Sequence, residues 1–142
     1  MSRILALDYG EKRIGAALSD ETGTIAQALS RPFDNNQAIF KKLAKLVREE
    51  NVDLVILGDP KTAAGRTGAS SQKARAFGEA LRNKLQVDVK FVDERFSTKF
   101  AFQRLREQDL TRRQGKDSVD NLAAQVILQQ YLDHIKKAES NG

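Results

Sequence analysis

The chain has no cysteine and only one histidine in 142 residues. Without cysteine it can form neither a disulfide framework nor a thiolate metal site. The histidine, His134, lies near the end of the last predicted helix, far in the sequence from the acids discussed below. We therefore expect it at the surface, which argues against histidine-based general acid–base catalysis.

Long apolar runs are also missing. No stretch approaches the roughly 18 uninterrupted apolar residues that a membrane span requires, and Asp8 interrupts the first apolar run too early for a signal peptide. These absences predict a cytoplasmic protein with no membrane partner. A chain of this length is most simply one domain, which we expect to span residues 1–138, with a disordered tail at 139–142.

Positive charge is concentrated in two stretches of the chain. The formal net charge is +5, and residues 61–90 and 95–116 each carry seven Lys or Arg against two acids. Residues 91–94, between them, carry two acids and no base. Basic stretches on both sides of an acidic centre are expected where a polyphosphate backbone is led toward bound cations. Helices coated with Lys and Arg only for solubility are the alternative, and charge alone favours it.

Apolar periodicity predicts both strands and helices. Strands are expected at residues 4–7, 13–19, 24–28, 52–57 and 87–92. The first three read as an antiparallel meander. Four helices are expected. The first would follow Asn35 or Asn36 as N-cap, and the second would carry the apolar face that ends at Leu85. The third would start near residue 97, and the fourth would contain the last apolar segment of the chain. This order of elements implies one α/β sheet with helices on both faces.

Three carboxylates occupy special places in this pattern. Asp8 and Glu94 each follow an apolar strand, and both strands should run in the same direction, so their ends would lie at one edge of the sheet. Asp120 is expected in the first turn of the final helix, where the helix dipole favours its ionised form. The small residues Ala123 and Ala124 would let that helix approach the sheet closely. The pattern therefore predicts that the three acids converge.

Converging carboxylates indicate a metal site. Clustered anions repel one another unless protons or cations intervene, and hard oxygen ligands suit Mg²⁺ or Mn²⁺. Two such ions, roughly 3.5–4 Å apart, can activate a water, neutralise the transition state and stabilise the leaving oxygen of a phosphodiester. The residues thus favour a metal-dependent nuclease in which Asp8, Glu94 and Asp120 are both metal ligands and catalytic residues.

Each acid also has a purely structural explanation. Asp8 could be only a turn residue, Glu94 could pair with a neighbouring base, and Asp120 could be an ordinary acid at a helix start. Their joint placement favours the site. Asp93 and Asp117 are alternatives, and Asp117 could serve as the N-cap of the final helix or as an outer metal ligand.

The loop at residues 58–68 is rich in glycine but is not a P-loop, because it lacks the Gly-Lys-Ser/Thr ending. Its glycines and the following helix N-terminus could still hold a phosphate through backbone N–H groups. The candidates for binding substrate phosphates are Arg13, Lys61, Arg66 and Arg95. For any one of these alone, a solvated surface role is the simpler explanation.

Three motifs in order resemble those of the YqgF family. They lie at residues 5–10, with 12–15 and 19–20 behind them, at 92–98, and at 119–124. The spacing of the glycines and the proline at residues 58–68 also fits. Members of this family are bacterial RNase H-like proteins described as Holliday junction resolvases or pre-16S rRNA nucleases, and the resemblance covers nearly the whole chain.

The resemblance implies a fold and an activity. The fold would be RNase H-like, a five-stranded mixed sheet in the order 3-2-1-4-5 with strand 2 antiparallel and helices on both faces. Asp8, Glu94 and Asp120 would bind Mg²⁺ or Mn²⁺ in a hydrolase that cleaves structured nucleic acid, processing the 5′ end of pre-16S rRNA. One departure is Asp59, where family members usually carry an apolar residue; it could repel a phosphate or join the metal site.

Other functions stay open at this point. A Holliday junction resolvase would act on branched DNA and would require a homodimer with two sites, whereas rRNA trimming could be done by a monomer. A non-catalytic transcription regulator that binds nucleic acid would instead depend on cations such as Arg112, Arg113 and Lys116. An actin-like ATPase is disfavoured, because such enzymes clamp nucleotide between two domains and 142 residues supply only one.

Overall fold

The computed structural model describes residues 2–29, 31–59, 69–93 and 116–141. The strands in these ranges are β1 (Arg3–Asp8), β2 (Arg13–Ser19), β3 (Ala26–Ala28), β4 (Phe33–Asp34), β5 (Val52–Asp59) and β6 (Asp88–Asp93). The helices are α1 (Ile39–Glu49), α2 (Ala69–Leu85) and α3 (Lys116–Asn141). The helix predicted from about residue 97 falls outside the described ranges.

The strands form one mixed sheet in the order β3-β2-β1-β5-β6. β2 is antiparallel to β1 and to β3, while β5 is parallel to both β1 and β6. This confirms the predicted strand order and the antiparallel second strand. The prediction of five strands was one too few, because β4 also pairs with β2. Two residues are too short to give a periodic signal, so apolar patterning could not reveal β4.

Helices cover both faces of the sheet, as predicted. On one face, α1 and α2 pack against β1 and β5 through buried side chains, among them Leu43, Phe77 and Leu81. On the other face, α3 packs against small residues of the central strands, including Ala6 and Ala17. Burying a leucine side chain is worth about 1.5–3 kcal/mol. The two apolar clusters therefore hold the helices to the sheet.

The start of α1 differs from the prediction. Its N-cap is Ala38, which forms no side-chain capping bond. The Asn36 Oδ1 accepts the Ala38 N–H at 2.9 Å, before the helix begins. The Asn35 side chain donates instead to the Gly10 carbonyl, at 2.8 Å. The prediction of Asn35 or Asn36 as N-cap was therefore wrong, because both amides satisfy backbone groups outside the helix.

The start of α3 also differs. The helix begins at Lys116, so Asp120 is its fifth residue, and its predicted place in the first turn was wrong. Asp117 lies inside the helix and is not its N-cap. The helix ends at Asn141. The division of the chain into one domain at residues 1–138 and a disordered tail at 139–142 stays a prediction.

Length alone does not make α3 a membrane helix. It has 26 residues, yet none of the helices in the described ranges is both long and apolar enough to cross a bilayer.

Side chains from the helices satisfy backbone groups at both edges of the described sheet. At β3, the Gln129 Oε1 accepts the Ala26 N–H at 2.9 Å, and the Gln125 Nε2 donates to the Ala26 carbonyl at 3.2 Å. At β6, the Arg82 Nη2 donates to the Val89 carbonyl at 2.8 Å. Helical side chains thus take the place of a neighbouring strand at these positions.

One buried amide fixes the position of α3 on the sheet. The Asn121 side chain is fully buried. Its Oδ1 accepts the Ala16 N–H of β2 at 2.9 Å, and its Nδ2 donates to the Leu29 carbonyl. Both ends of one amide are therefore bonded to backbone groups of the sheet region.

We expect Asn121→Ala to lower the free energy of unfolding by about 1–3 kcal/mol, because the buried Ala16 N–H loses its acceptor. Denaturant unfolding followed by circular dichroism measures this difference. The matched control is Asn83→Ala on the exposed side of α2, which should change stability by less than about 0.5 kcal/mol. Equal effects of the two substitutions would contradict a special role for Asn121.

The turn between β2 and β3 is organised by Asp20. Its carboxylate accepts the Thr22 hydroxyl at 2.6 Å and the Thr24 and Ile25 N–H groups at 2.8 and 3.1 Å. These bonds, the Thr22 hydroxyl first, lower the pKa of Asp20 to about 2. A carboxyl with a lowered folded-state pKa contributes stability above its unfolded pKa and loses it as the pH falls through the folded value.

The stability difference between wild type and Asp20→Asn should therefore be largest above about pH 5 and shrink as the pH falls toward about 2. Guanidinium unfolding at a series of pH values measures it. Asp53→Asn, an exposed acid on β5, serves as control. A difference that stays constant with pH would show that the Asp20 carboxylate does not act through its ionised form.

Candidate functional site

Asp8 is the last residue of β1, and a glycine lies beside it on each of the two neighbouring strands. It pairs with Gly15 of β2. Because Leu7 pairs with Leu57 of β5, the next residue, Asp8, lies level with Gly58. Neighbouring strands are about 4.8 Å apart, and neither glycine has a side chain to fill the space beside the half-buried carboxylate. At this level, therefore, neither neighbouring strand places a side chain next to Asp8.

The strand that leads to Glu94 reaches the same edge. Gly58 pairs with Val92, and Asp59 pairs with Asp93, the last residue of β6. Since β1, β5 and β6 are parallel, their carboxyl ends lie together. Glu94 follows Asp93 directly and lies outside the described residues, so the position of its carboxylate stays a prediction, as does any metal contact by Asp59 or Asp93.

The backbone of α3 brings residue 120 to this edge as well. Asn121 binds the N–H of Ala16, and Ala16 is adjacent to Gly15, the partner of Asp8. The residue before Asn121 is Asp120. It is therefore held near the end of β1 by a bond between its immediate neighbour and the adjoining strand.

Asp8 and α3 are on the same side of the sheet. Ala6 packs with α3 residues such as Ala124, whereas Leu5 and Leu7 belong to the opposite cluster. Alternate residues of a strand share a face, so the Asp8 side chain points to the side that α3 covers. The predicted close approach of this helix through small residues is confirmed at Ala124, which is fully buried.

The turn after Asp8 is tightly constrained. A Cβ on Gly10 would lie 2.4 Å from the Arg13 carbonyl oxygen, so only glycine fits there. Asn35 holds the same turn twice: its Nδ2 donates to the Gly10 carbonyl at 2.8 Å, and its backbone N–H donates to the Lys12 carbonyl at 2.9 Å. The segment that follows Asp8 is thereby fixed from outside the hairpin.

Helix α2 also holds this turn. The Tyr9 and Phe77 rings pack with centroids 5.2 Å apart, and the Lys73 Nζ lies 2.8 Å from the Glu11 Oε1. This hydrogen bond and charge lower the pKa of Glu11 and raise that of Lys73. Both side chains are exposed, so the ion pair adds little stability.

Sequence patterning did not identify Asn35 or Lys73 as neighbours of the site. Lys73 is 62 residues from Glu11, and no periodicity predicts a contact at that separation. Asn35 carried a signal, but the signal was interpreted as helix capping.

The remaining predicted residues are distributed as follows. Arg13 is exposed at the start of β2 and pairs with Asp34 of β4, so it lies at the hairpin beside Asp8. Lys61, Arg66 and Arg95 are outside the described ranges. Among the side chains that the structure describes, no three from Asp, Glu, His or Cys are placed to share a metal ion. Of the three predicted ligands, Asp8 is the one whose side chain is described.

His134 is exposed, as expected.

Comparisons with known proteins identify the family of this chain. The profile of the RuvX family, described as Holliday junction resolvase, matches residues 2–134. Proteins named "Putative pre-16S rRNA nuclease" from Bacillus mycoides strain KBAB4 and from Bacillus cytotoxicus are each 41% identical over 134 residues, covering 92% of this chain and 98% of theirs.

A solved structure shares the fold. That of Thermus thermophilus RuvC in complex with a Holliday junction substrate superposes with a TM-score of 0.65, covering 96% of both chains at 9% identity. At such low identity the likeness concerns the fold alone, which is RNase H-like, as the motifs implied. The family profile and the relatives match nearly the whole chain. The chain therefore belongs to the RuvX family, the same family that the sequence motifs indicated under the name YqgF.

Proposed function

We propose that this protein is a metal-dependent endonuclease that hydrolyses phosphodiester bonds in structured nucleic acid. The proposal is supported by the backbone arrangement at one edge of the sheet: Asp8 ends β1 opposite Gly15, and Asn121, the neighbour of residue 120, bonds to the next residue of that strand, Ala16. The names of the relatives, with their mention of pre-16S rRNA, favour processing of the 5′ end of that RNA. We place this activity in the cytoplasm.

Asp8, Glu94 and Asp120 would hold the metal, Mg²⁺ or Mn²⁺. The donor chemistry fits, because carboxylate oxygens are the ligands that these hard cations prefer. A pair of divalent ions, when bound, would activate water and neutralise the charge on the reacting phosphate. The tightly held turn after Asp8 would keep that carboxylate from moving as a cation binds, which rigid ligand positions require.

Cations near the edge would bind the substrate. Arg13 is exposed at the hairpin that follows Asp8, on the strand that pairs with β1, and its guanidinium would bind a phosphate of the substrate. Lys61, Arg66 and Arg95 remain candidates for the same role on charge. A guanidinium can donate two parallel hydrogen bonds to one phosphate, which suits Arg13 for orienting the scissile group.

Cleavage of branched DNA is the second candidate. It is favoured by the description of the family and by the Holliday junction named with the RuvC structure of the same fold. A junction has two equivalent strands to cut, so this activity would need a homodimer with two sites, whereas rRNA processing could be done by a monomer. A non-catalytic regulator that binds nucleic acid would leave the arrangement around Asp8 unexplained.

We expect Asp8→Asn to reduce cleavage by more than about 100-fold, because even outer partners of a metal site typically contribute 10–100-fold. The assay incubates the protein with a precursor 16S rRNA 5′ fragment, and separately with a four-way DNA junction, in Mg²⁺ or Mn²⁺. Asp53→Asn, an exposed acid near the start of β5, is the matched control. If wild type cuts neither substrate, the enzymatic proposal fails; which of the two it cuts decides between the two substrates.

Metal binding should also be visible without any substrate. Divalent ions relieve repulsion among clustered carboxylates, and a ligand that binds only the folded state raises its stability. We expect Mn²⁺ to raise the Tm of wild type and to raise that of Asp8→Asn much less, measured by differential scanning calorimetry after EDTA treatment. The same Mn²⁺-dependent increase in both proteins would exclude Asp8 as a metal ligand.

A further inference from the structure

One exposed surface of the molecule carries cations that the proposed site does not use. It is formed by Lys41, Lys42, Lys45 and Arg48 of α1 and by Lys84 of α2, and we refer to these five residues as the α1 basic surface. All five are exposed. The opposite side of α1 is its core side, where Ile39 and Leu43 are fully buried. The cations therefore face outward from the sheet.

Few acids neutralise this surface. Glu49 is the exposed acid of α1, and its Oε1 lies 3.9 Å from the Lys45 Nζ. Such an exposed pair within a helix is weak. The following acid, Glu50, forms an ion pair with Arg3 of β1 at 2.8 Å, so its charge is directed to the sheet. Five cations thus face one exposed acid.

Packing between the helices joins Lys84 to this surface. Its Nζ lies 5.0 Å from the centroid of the Phe40 ring, a distance at which a cation is attracted to an aromatic face. Phe40 in turn packs against Phe77 of α2, with ring centroids 5.5 Å apart. The Lys84 ammonium is therefore held at the boundary between α1 and α2, beside the cations of α1.

The surface begins near the candidate site and leads away from it. Asn35, shortly before α1, is bonded to the turn that follows Asp8. From there α1 extends for 11 residues, or about 16 Å at 1.5 Å per residue. Lys41 lies toward the site and Arg48 away from it. α1 also covers the sheet face opposite to α3, so this surface is separate from the face that Asp8 shares with α3.

The chemistry of the surface fits a duplex backbone. Lys41, Lys45 and Arg48 are spaced i, i+4, i+7 and so form a row on a rigid helix, suited to a regular row of phosphates. Phe40, the aromatic residue of α1, is half-buried, packs against Phe77 and has the Lys84 ammonium over its ring. It is therefore not an exposed ring of the kind on which surfaces that bind single strands usually stack bases. The outward side of α1 also has no amide side chain of the kind that reads adenine edges. Binding there would depend on charge and not on sequence.

We infer that the α1 basic surface binds the phosphate backbone of a double-stranded arm of the nucleic acid whose cleaved strand lies at the Asp8 edge. The inference rests on the proposed function for the identity of the substrate. It adds a second contact region, which would orient a structured substrate relative to the site by holding its helical part.

The test compares two double variants with the same loss of charge. Lys41→Gln/Lys45→Gln removes two cations from the α1 basic surface, and Arg31→Gln/Lys90→Gln removes two exposed cations elsewhere. Binding to a labelled duplex RNA, a duplex DNA of equal length and a single strand is measured by fluorescence anisotropy in EDTA, over a range of salt concentrations. Circular dichroism verifies that both variants are folded.

For the duplexes, the slope of log Kobs against log salt is negative. We expect its magnitude to decrease by about 1–2 in Lys41→Gln/Lys45→Gln, since each phosphate contact contributes about 0.9. The control variant should keep the wild-type slope, and single-strand binding should change little in both. Equal loss in the two variants would mean that only net charge matters and would overturn the inference. So would an unchanged duplex slope, or an equal loss for the single strand. Comparing RNA with DNA identifies which duplex is preferred.

This outcome is independent of catalysis, because EDTA removes divalent ions from the binding assay. A protein that loses duplex slope as expected but cleaves neither substrate would support the inference and refute the proposed nuclease. A protein that cleaves, but whose duplex slope is unchanged by Lys41→Gln/Lys45→Gln, would support the proposed nuclease and refute the inference.

Discussion

The arrangement of the site depends on one buried amide. Asn121 bonds to β2 through its oxygen and to the Leu29 carbonyl through its nitrogen, so sliding α3 by one residue would leave both backbone groups unsatisfied in the interior. Buried polar bonds of this kind are costly to break, and they specify a single arrangement where apolar packing alone would tolerate several. The small residues under α3 provide close contact, but the amide determines which residue of the helix lies beside the end of β1.

The two faces of the sheet contribute differently to the surroundings of Asp8. On the α3 side, Asp8 lies between Gly15 and Gly58, which carry no side chains. On the opposite side, Asn35, which precedes α1, and Lys73 of α2 hold the turn after Asp8. The end of β1 thus combines a carboxylate that has no side chain beside it on the neighbouring strands with a following turn that is held from the other face. A strand end provides this combination more readily than a loop, because its backbone is already fixed by hydrogen bonds to two neighbours.

The sequence predicted the parts of this protein that depend on periodic burial or on adjacent motifs. The strand order, the buried faces of the helices and the position of Asp8 at a strand end all followed from apolar runs and from family motifs. The two-residue strand β4 and the true starts of α1 and α3 did not. β4 is too short to give a periodic signal, and the Asn35 amide bonds to a distant backbone group instead of capping α1. The contact between Glu11 and Lys73 joins side chains 62 residues apart, so no local pattern predicts it.

The α1 basic surface was missed for a different reason. Summing charge over residues 1–60 combines its cations with acids that lie elsewhere in the fold, and gives a net charge of −1. The i, i+4, i+7 spacing of Lys41, Lys45 and Arg48 was available in the sequence, but it gains meaning only when the opposite side of the helix is known to be buried. Charge is therefore better counted by helix face than by segment.

The glutamines that cover β3 and the arginine that covers β6 have a consequence for assembly. A second copy cannot continue the sheet at Ala26 or Val89 without displacing side chains that already bond to these backbone groups. Strand addition, the commonest uncontrolled route by which exposed sheet edges associate, is blocked at both positions. A two-fold pairing that joined the sheets of two copies at Ala26 or Val89 would therefore first have to break these side-chain bonds, which disfavours edge-to-edge association at these two positions.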